Sequence, residues 1–168
     1  MAGVQITVTL EDEAVSRALA QMAAASVDMT QPMDAIGRVL VNGAVERIGT
    51  TNVTPEGAPW KPSKRAESQG GKTLHDSGAL MRSINSWAFP DRAIVGTNTP
   101  YGAVHQLGAA TGSLGVWSGT DKRGRDMTVL SPWGDIPARP YLGISDEEET
   151  TILEIVRDHY GGIIEALQ

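Results

Sequence analysis

The chain contains no cysteine. That excludes a disulfide framework, a thiolate nucleophile and any metal site with cysteine ligands. The absence fits a reducing cytosol. Phenylalanine occurs once and histidine three times. No stretch approaches the roughly 20 apolar residues of a membrane span. The opening residues, Met1 to Glu13, have neither a basic start nor a long apolar core, so they do not read as a signal peptide. Positive charge is the scarcer sign: 14 Lys and Arg stand against 20 Asp and Glu, a net charge of -6. That total argues against general nucleic-acid coating, although a local basic patch is compatible with it.

What remains fits one soluble domain over residues 1–168, a size that buries about 70% of its unfolded surface without a staple. The 19 glycines and 9 prolines predict many turns and long loops between short elements.

Val4 to Leu10 alternates apolar and polar residues, the period of a half-buried strand. Glu11 to Ala25 changes to a helical period, with Val15, Ala18, Leu19 and Met22 as a stripe. A second helix starts at Pro32, a residue suited to the first turn. Its stripe is Met33, Ile36, Leu40, Ala44 and Ile48, and Gly49 should end it. Gly37 and Gly43 inside it suggest close packing. Residues 50–73 show no period and read as a long connection.

Asp76 or Ser77 can cap a short helix carrying Leu80, Met81 and Ile84. Ser86 to Phe89 and Ala93 to Val95 read as a hairpin around Pro90-Asp91. Tyr101 to Leu107 is a short helix or an extended run. The glycine-rich stretch 109–132 is a projecting loop or hairpin arm, or orders only against a partner. Ile136 to Gly143 is stiff extended chain. Ser145 with Glu148 forms a capping box opening a last helix, whose stripe is Ile152, Ile155, Val156, His159 and Ile163. Gly161-Gly162 should loosen its last turn. The order predicts an α+β fold: a small twisted antiparallel or mixed sheet packed against a long helix and a C-terminal helix, with long Gly/Pro-rich loops.

Reactive groups do not gather. His75, His105 and His159 have no metal-ligand spacing. His75-Asp76-Ser77 resembles a hydrolase fragment, but residues adjacent on a helix do not face one another. Gly71-Lys72-Thr73 would need a glycine at position 66 to be a phosphate loop, and that residue is Ala66. Neither an enzyme nor a cofactor site is expected.

The four tryptophans are many for so few aromatics. Trp60 and Trp87 read as small satellite cores pinning loops. For Trp117 and Trp133, beside the glycine-rich stretch, interface anchoring is the alternative. Residues 60–126 carry 9 basic and 5 acidic residues, whereas the flanks carry 5 and 15. Solvated faces explain this. So does complementarity between copies, or contact with DNA through Lys122, Arg123 and Arg125.

Four landmarks follow in order: Pro55 to Trp60; Leu74 to Leu80; Val95-Gly96-Thr97 leading to Tyr101 through Gly108; and Ile136 to Gly143 followed by Ser145. Together they resemble the phage virion morphogenesis family, tail-completion proteins of Mu-like and P2-like bacteriophages. Trp60, Gly78, Leu80, Tyr101, His105, Gln106, Gly108, Pro137, Arg139, Pro140 and Gly143 match its motif positions. Gly102 stands where members often have alanine, and Tyr141 where they often have phenylalanine. The resemblance implies a non-catalytic virion protein of the tail or neck, present in the host cytoplasm before assembly. It implies a ring, commonly sixfold, that contacts the tail tube or tail terminator and the head-tail connector, with no membrane role. For His105-Gln106 the expectation is a pair bonding to backbone and fixing the glycine turn. For Arg139 it is a clamp on the last helix, or an intersubunit contact.

Overall fold

The computed structural model describes residues 13–165 except Asp121 and Trp133. The strand expected over Val4–Leu10 and the tryptophan at 133 lie outside the described residues. Helix α1 spans Glu13–Ala25, and α2 spans Thr30–Glu46 and continues as a π-helical turn over Arg47–Thr51. Short helices α3 (Lys64–Gln69) and α4 (Ala79–Arg82) precede strands β1 (Ile84–Ala88) and β2 (Ala93–Thr97). Helix α5 (Gly102–Leu107), strands β3 (Val116–Thr120) and β4 (Asp126–Leu130), and helix α6 (Asp146–Glu165) complete the order.

The mixed α and β content agrees with expectation, but the sheet does not form as one unit. Among the described residues there are two separate antiparallel ribbons, β1–β2 and β3–β4. Only β1–β2 lies on α2, while α6 packs along α2 and α1. The two glycines of α2 explain how. A Cβ on Gly37 would stand 2.8 Å from that of Ser86 in β1, and one on Gly43 would run into the Glu148 carboxylate of α6. These positions are about 120° apart around the helix, so α2 receives hairpin and terminal helix on different faces.

The core gathers Ala44, Ile48, Trp60, Leu80, Ile84 and Tyr141, with Val41, Leu74, Met81, Val95 and Leu142 around it. Several local expectations are corrected. Gly49 does not end α2. Asn52 does, in the left-handed region at φ 55°, with its Nδ2 donating to the carbonyls of Arg47 and Ile48. Asparagine is the other residue that tolerates this conformation. Position 49 stays helical, and a Cβ there would lie 3.2 Å from Met81 Sδ.

The residue that opens α4 is Gly78 (φ 75°), not Asp76 or Ser77, and Ile84 belongs to β1. Ser77 Oγ still accepts the Ala79 N–H at 3.3 Å, and Asp76 lies 3.8 Å from Arg65. The connection 50–73 contains α3, capped by Ser63, whose Oγ accepts the Ala66 N–H. Of the α1 stripe, Val15 and Leu19 are exposed while Ala18 and Met22 are half-buried, so the stripe is covered at one side alone. The 101–107 ambiguity resolves as helix.

The capping box of α6 forms as expected: Glu148 Oε2 accepts the Ser145 N–H at 2.7 Å, and Ser145 Oγ accepts the Glu148 N–H at 3.3 Å. Gly161-Gly162 does not break the helix within the described residues. Ile152, Ile155, Val156 and His159 are half-buried, as the stripe requires, and the Ile163 side chain lies outside the described residues.

Candidate assembly interface

The proline-rich segment 136–145 is a strap laid across the domain. Pro137 and Pro140 keep it extended and outside any helix or named strand. Backbone groups of Ala109 and His105 meet it at Ile136 and at the Arg139 N–H, and further along, its polar backbone atoms are met by side chains from elsewhere. Gln106 supplies most of them. Its Oε1 accepts the N–H groups of Tyr141 and Leu142, each at 3.0 Å, and its Nε2 donates to Leu142 O at 2.8 Å. The indole of Trp60 donates to Pro140 O at 3.1 Å. Arg47 donates to Tyr141 O at 3.1 Å and pairs with Glu148 in a buried contact.

Arg139 points outward from the strap toward the loop before α3. Its Nε donates to Lys61 O at 2.8 Å and its Nη2 to Pro62 O at 3.3 Å. It clamps that loop and not the last helix, which corrects the sequence expectation. The reason lies in Arg47, which already occupies the Glu148 carboxylate. Sequence reading overlooked Arg47; its only signal was a basic residue one position from the buried stripe residue Ile48.

Glycine appears where the strap is approached most closely. A Cβ on Gly108 (φ 77°) would meet the Ala138 N and Ile136 O atoms at 2.8 Å. The two departures from the family pattern touch each other. A Cβ on Gly102 would stand 3.0 Å from Tyr141 Oη and 2.5 Å from Thr97 Cγ2. The tyrosine hydroxyl thus fills space that alanine would use.

Of the expected interface residues, Trp60, Leu80 and Tyr141 are core, 6%, 3% and 1% exposed. Gln106 behaves as expected, bonded to backbone. His105 does not, because its Nδ1 is buried with no partner among the described residues. Burial lowers the His105 pKa below the ordinary 6.5, and the nearby Arg139 charge adds to this. Burial likewise raises the Tyr141 hydroxyl pKa and lowers that of Arg139, the latter opposed by Glu67. Tyr101 is exposed and meets His105 edge-on at 5.8 Å. Trp87, expected to pin a loop, is instead exposed, paired across the ribbon with exposed Ile94.

The stretch 109–132 is a hairpin arm. Its base is tied down: Asp135 Oδ1 accepts both the N–H and the hydroxyl of Thr111 at 2.8 Å, and Ala109 bridges Ile136. Beyond the base, nothing in the described chain covers it. Trp117 lies over Gly119, where a Cβ would run into the indole, and shares a ribbon face with Val129 and Met127. Val116 and Leu130 pair on the other face. Four of these, Val116, Trp117, Met127 and Leu130, are exposed. Lys122, Arg123 and Arg125 occupy the turn at the tip.

A packed knot of motif residues beside an uncovered apolar arm is the anatomy of an assembly protein. Among the described residues, no group of three or more His, Asp or Glu side chains could hold a metal ion, and no helix is long and apolar enough to cross a membrane. Residues 10–161 match the phage virion morphogenesis family, and the chain belongs to it. It is also similar to the Mu-like prophage FluMu G protein 2 of Haemophilus influenzae, 33% identical over 147 residues, covering 87% of this chain and 88% of the relative. No solved structure matches. Its role is in phage tail morphogenesis, and it is a structural protein and not an enzyme.

Proposed function

We propose that copies of this chain associate head-to-tail into a ring, commonly of six, at the head-proximal end of the tail. The ring completes the tail for joining to the head, with the tail tube or terminator on one face and the connector on the other. The arm β3–β4 carries this reading. A lone two-stranded ribbon is marginal in water, yet this one holds a tryptophan and three aliphatic or thioether side chains exposed. Large aromatic surface of that kind anchors interfaces. An arm reaching from one copy to a different patch on the next gives a heterologous contact, which closes into a ring when its rotation fits.

Solution mass across concentration and salt tests the proposal. A discrete species near six copies, lost when residues 115–130 are replaced by a short Gly-Ser turn, is expected. A single-copy mass throughout, with isolated tails as well as without them, would overturn it.

A second reading, a neck adaptor or channel-lining module, is favoured by one observation: Lys122, Arg123 and Arg125 are gathered and exposed at the arm tip. It predicts duplex DNA binding that weakens steeply with salt. Fluorescence anisotropy at low ionic strength would show no binding if the tip does not face DNA.

A further inference from the structure

The molecule carries two clefts of opposite charge at the two ends of its strap. One, of about 560 Å³, lies between Arg139, His105 and the loop bearing Lys61 and Lys64. Arg139 is 5% exposed, and its partners are carbonyl oxygens; no described carboxylate pairs with it. A buried guanidinium hydrogen-bonded only to carbonyls has no carboxylate in direct contact, and Glu67 offsets its charge only through space. His105 lines the same cleft, with its buried Nδ1 unpartnered. Lys61 and Lys64 are exposed at the rim, and neither makes an ion pair with a described residue. Glu67 and Asp135 also line this cleft. Asp135 is engaged by Thr111, which leaves Glu67 as the one other carboxylate lining the cleft against Lys61, Lys64 and Arg139.

The other cleft, of about 600 Å³, has Glu46, Glu56, Asp146 and Glu147 on its wall, at the start of α6. Arg47 is the one basic residue lining it, and Glu148 already neutralises that charge. Asp146, Glu147 and Glu149 project into solvent. Arg139 and Ser145 mark the two clefts along the chain, and the strap between them reaches at most about 20 Å. They are separate patches, so a contact between them is heterologous.

We propose that the acidic first turn of α6 in one copy docks into the basic cleft at Arg139 and His105 of the next. The contact rests on the ring reading given above and adds a second interface to the arm. A carboxylate entering the cleft meets the lysines at the rim. Inside, it accepts hydrogen bonds where Arg139 and His105 lack an anionic partner. Charge complementarity also fixes which neighbour is accepted and in which direction.

A charge swap tests it. One variant carries Lys61→Glu and Lys64→Glu; the other carries Asp146→Lys and Glu147→Lys. Each alone opposes like charges across the contact and is expected to associate about tenfold or more weakly than the wild type. Mixed in equal amounts, they restore opposite charges at every contact and should regain the wild-type mass in alternating copies. Thermal midpoints check that each variant is folded; should either fail, Lys64→Glu with Glu149→Lys carries the same test. A mixture that stays dissociated overturns the docking, as do variants that assemble like the wild type. A wild type that never leaves the single-copy mass sinks the ring reading and this contact together. A wild-type ring indifferent to the charge reversals sinks this contact alone.

Discussion

The strap and the arm are both glycine- and proline-rich, and both lack regular neighbours in sequence, yet the structure treats them oppositely. Over the strap, side chains from three distant places, Arg47, Trp60 and Gln106, converge on backbone atoms, and Arg139 reaches back from it to the Lys61 carbonyl. Over the arm, the apolar residues meet neighbours within the arm itself: Trp117 lies over Gly119, and Leu130 beside Gly112 and opposite Val116. The lesson is that motif residues and surface residues answer different questions. Those of the strap make the domain, and those of the arm are left over for something outside it. A tryptophan in a loop is informative only once its burial is known: Trp60 is 6% exposed and Trp117 is 55% exposed.

The sharpest break in the strap is at the buried ion pair. Glu148→Gln leaves Arg47 buried without its counter-charge, and the expected loss is about 3 kcal/mol or more by denaturant titration. Adding Arg47→Met should recover much of that loss, because an apolar pair has no charge to desolvate.

A smaller effect is expected where Gly102 meets Tyr141. Gly102→Ala should cost about 1 to 3 kcal/mol through overpacking. Tyr141→Phe removes the hydroxyl that the new methyl would crowd. The double variant should therefore lose less than the two single losses added together, a coupling that unfolding curves measure directly. The Thr97 contact remains, so the relief is partial.

The smallest effect concerns pH. The folded-state pKa of His105 is depressed, so the unfolded chain takes up its proton first as pH falls. The stability contributed by neutral His105 is complete above the ordinary value of 6.5 and is lost below it, as pH falls toward the lowered folded value. His105→Gln should flatten that part of the stability profile, measured by thermal midpoints between neutral and mildly acid pH.

Much of the fold was legible because its signals are local. The stripe of α2, the hairpin β1–β2 and the Ser145–Glu148 box depend on residues a few positions apart. The errors fell where a tertiary partner decides. Gly49 reads as a helix stop, but Met81 packs beside it and Asn52 supplies the left-handed turn instead. The stripe of α1 reads as core, but the structure covers only part of it. Arg139 was expected to hold the last helix, but Arg47 reached that carboxylate from α2, and no spacing in sequence reveals a contact 101 residues apart. At the candidate interface, the arm was legible as a projection from its glycines and tryptophan. The basic cleft was not, because it needs the strap, α5 and the Lys61 loop brought together.

The account turns on Trp117 serving assembly while Trp60 serves the fold. Its most direct measurement is the thermal midpoint and the solution mass of Trp117→Ser, taken on one sample. An unchanged midpoint with loss of the assembled species is the predicted result. A lowered midpoint with assembly intact would contradict it and return the arm to the domain that bears it.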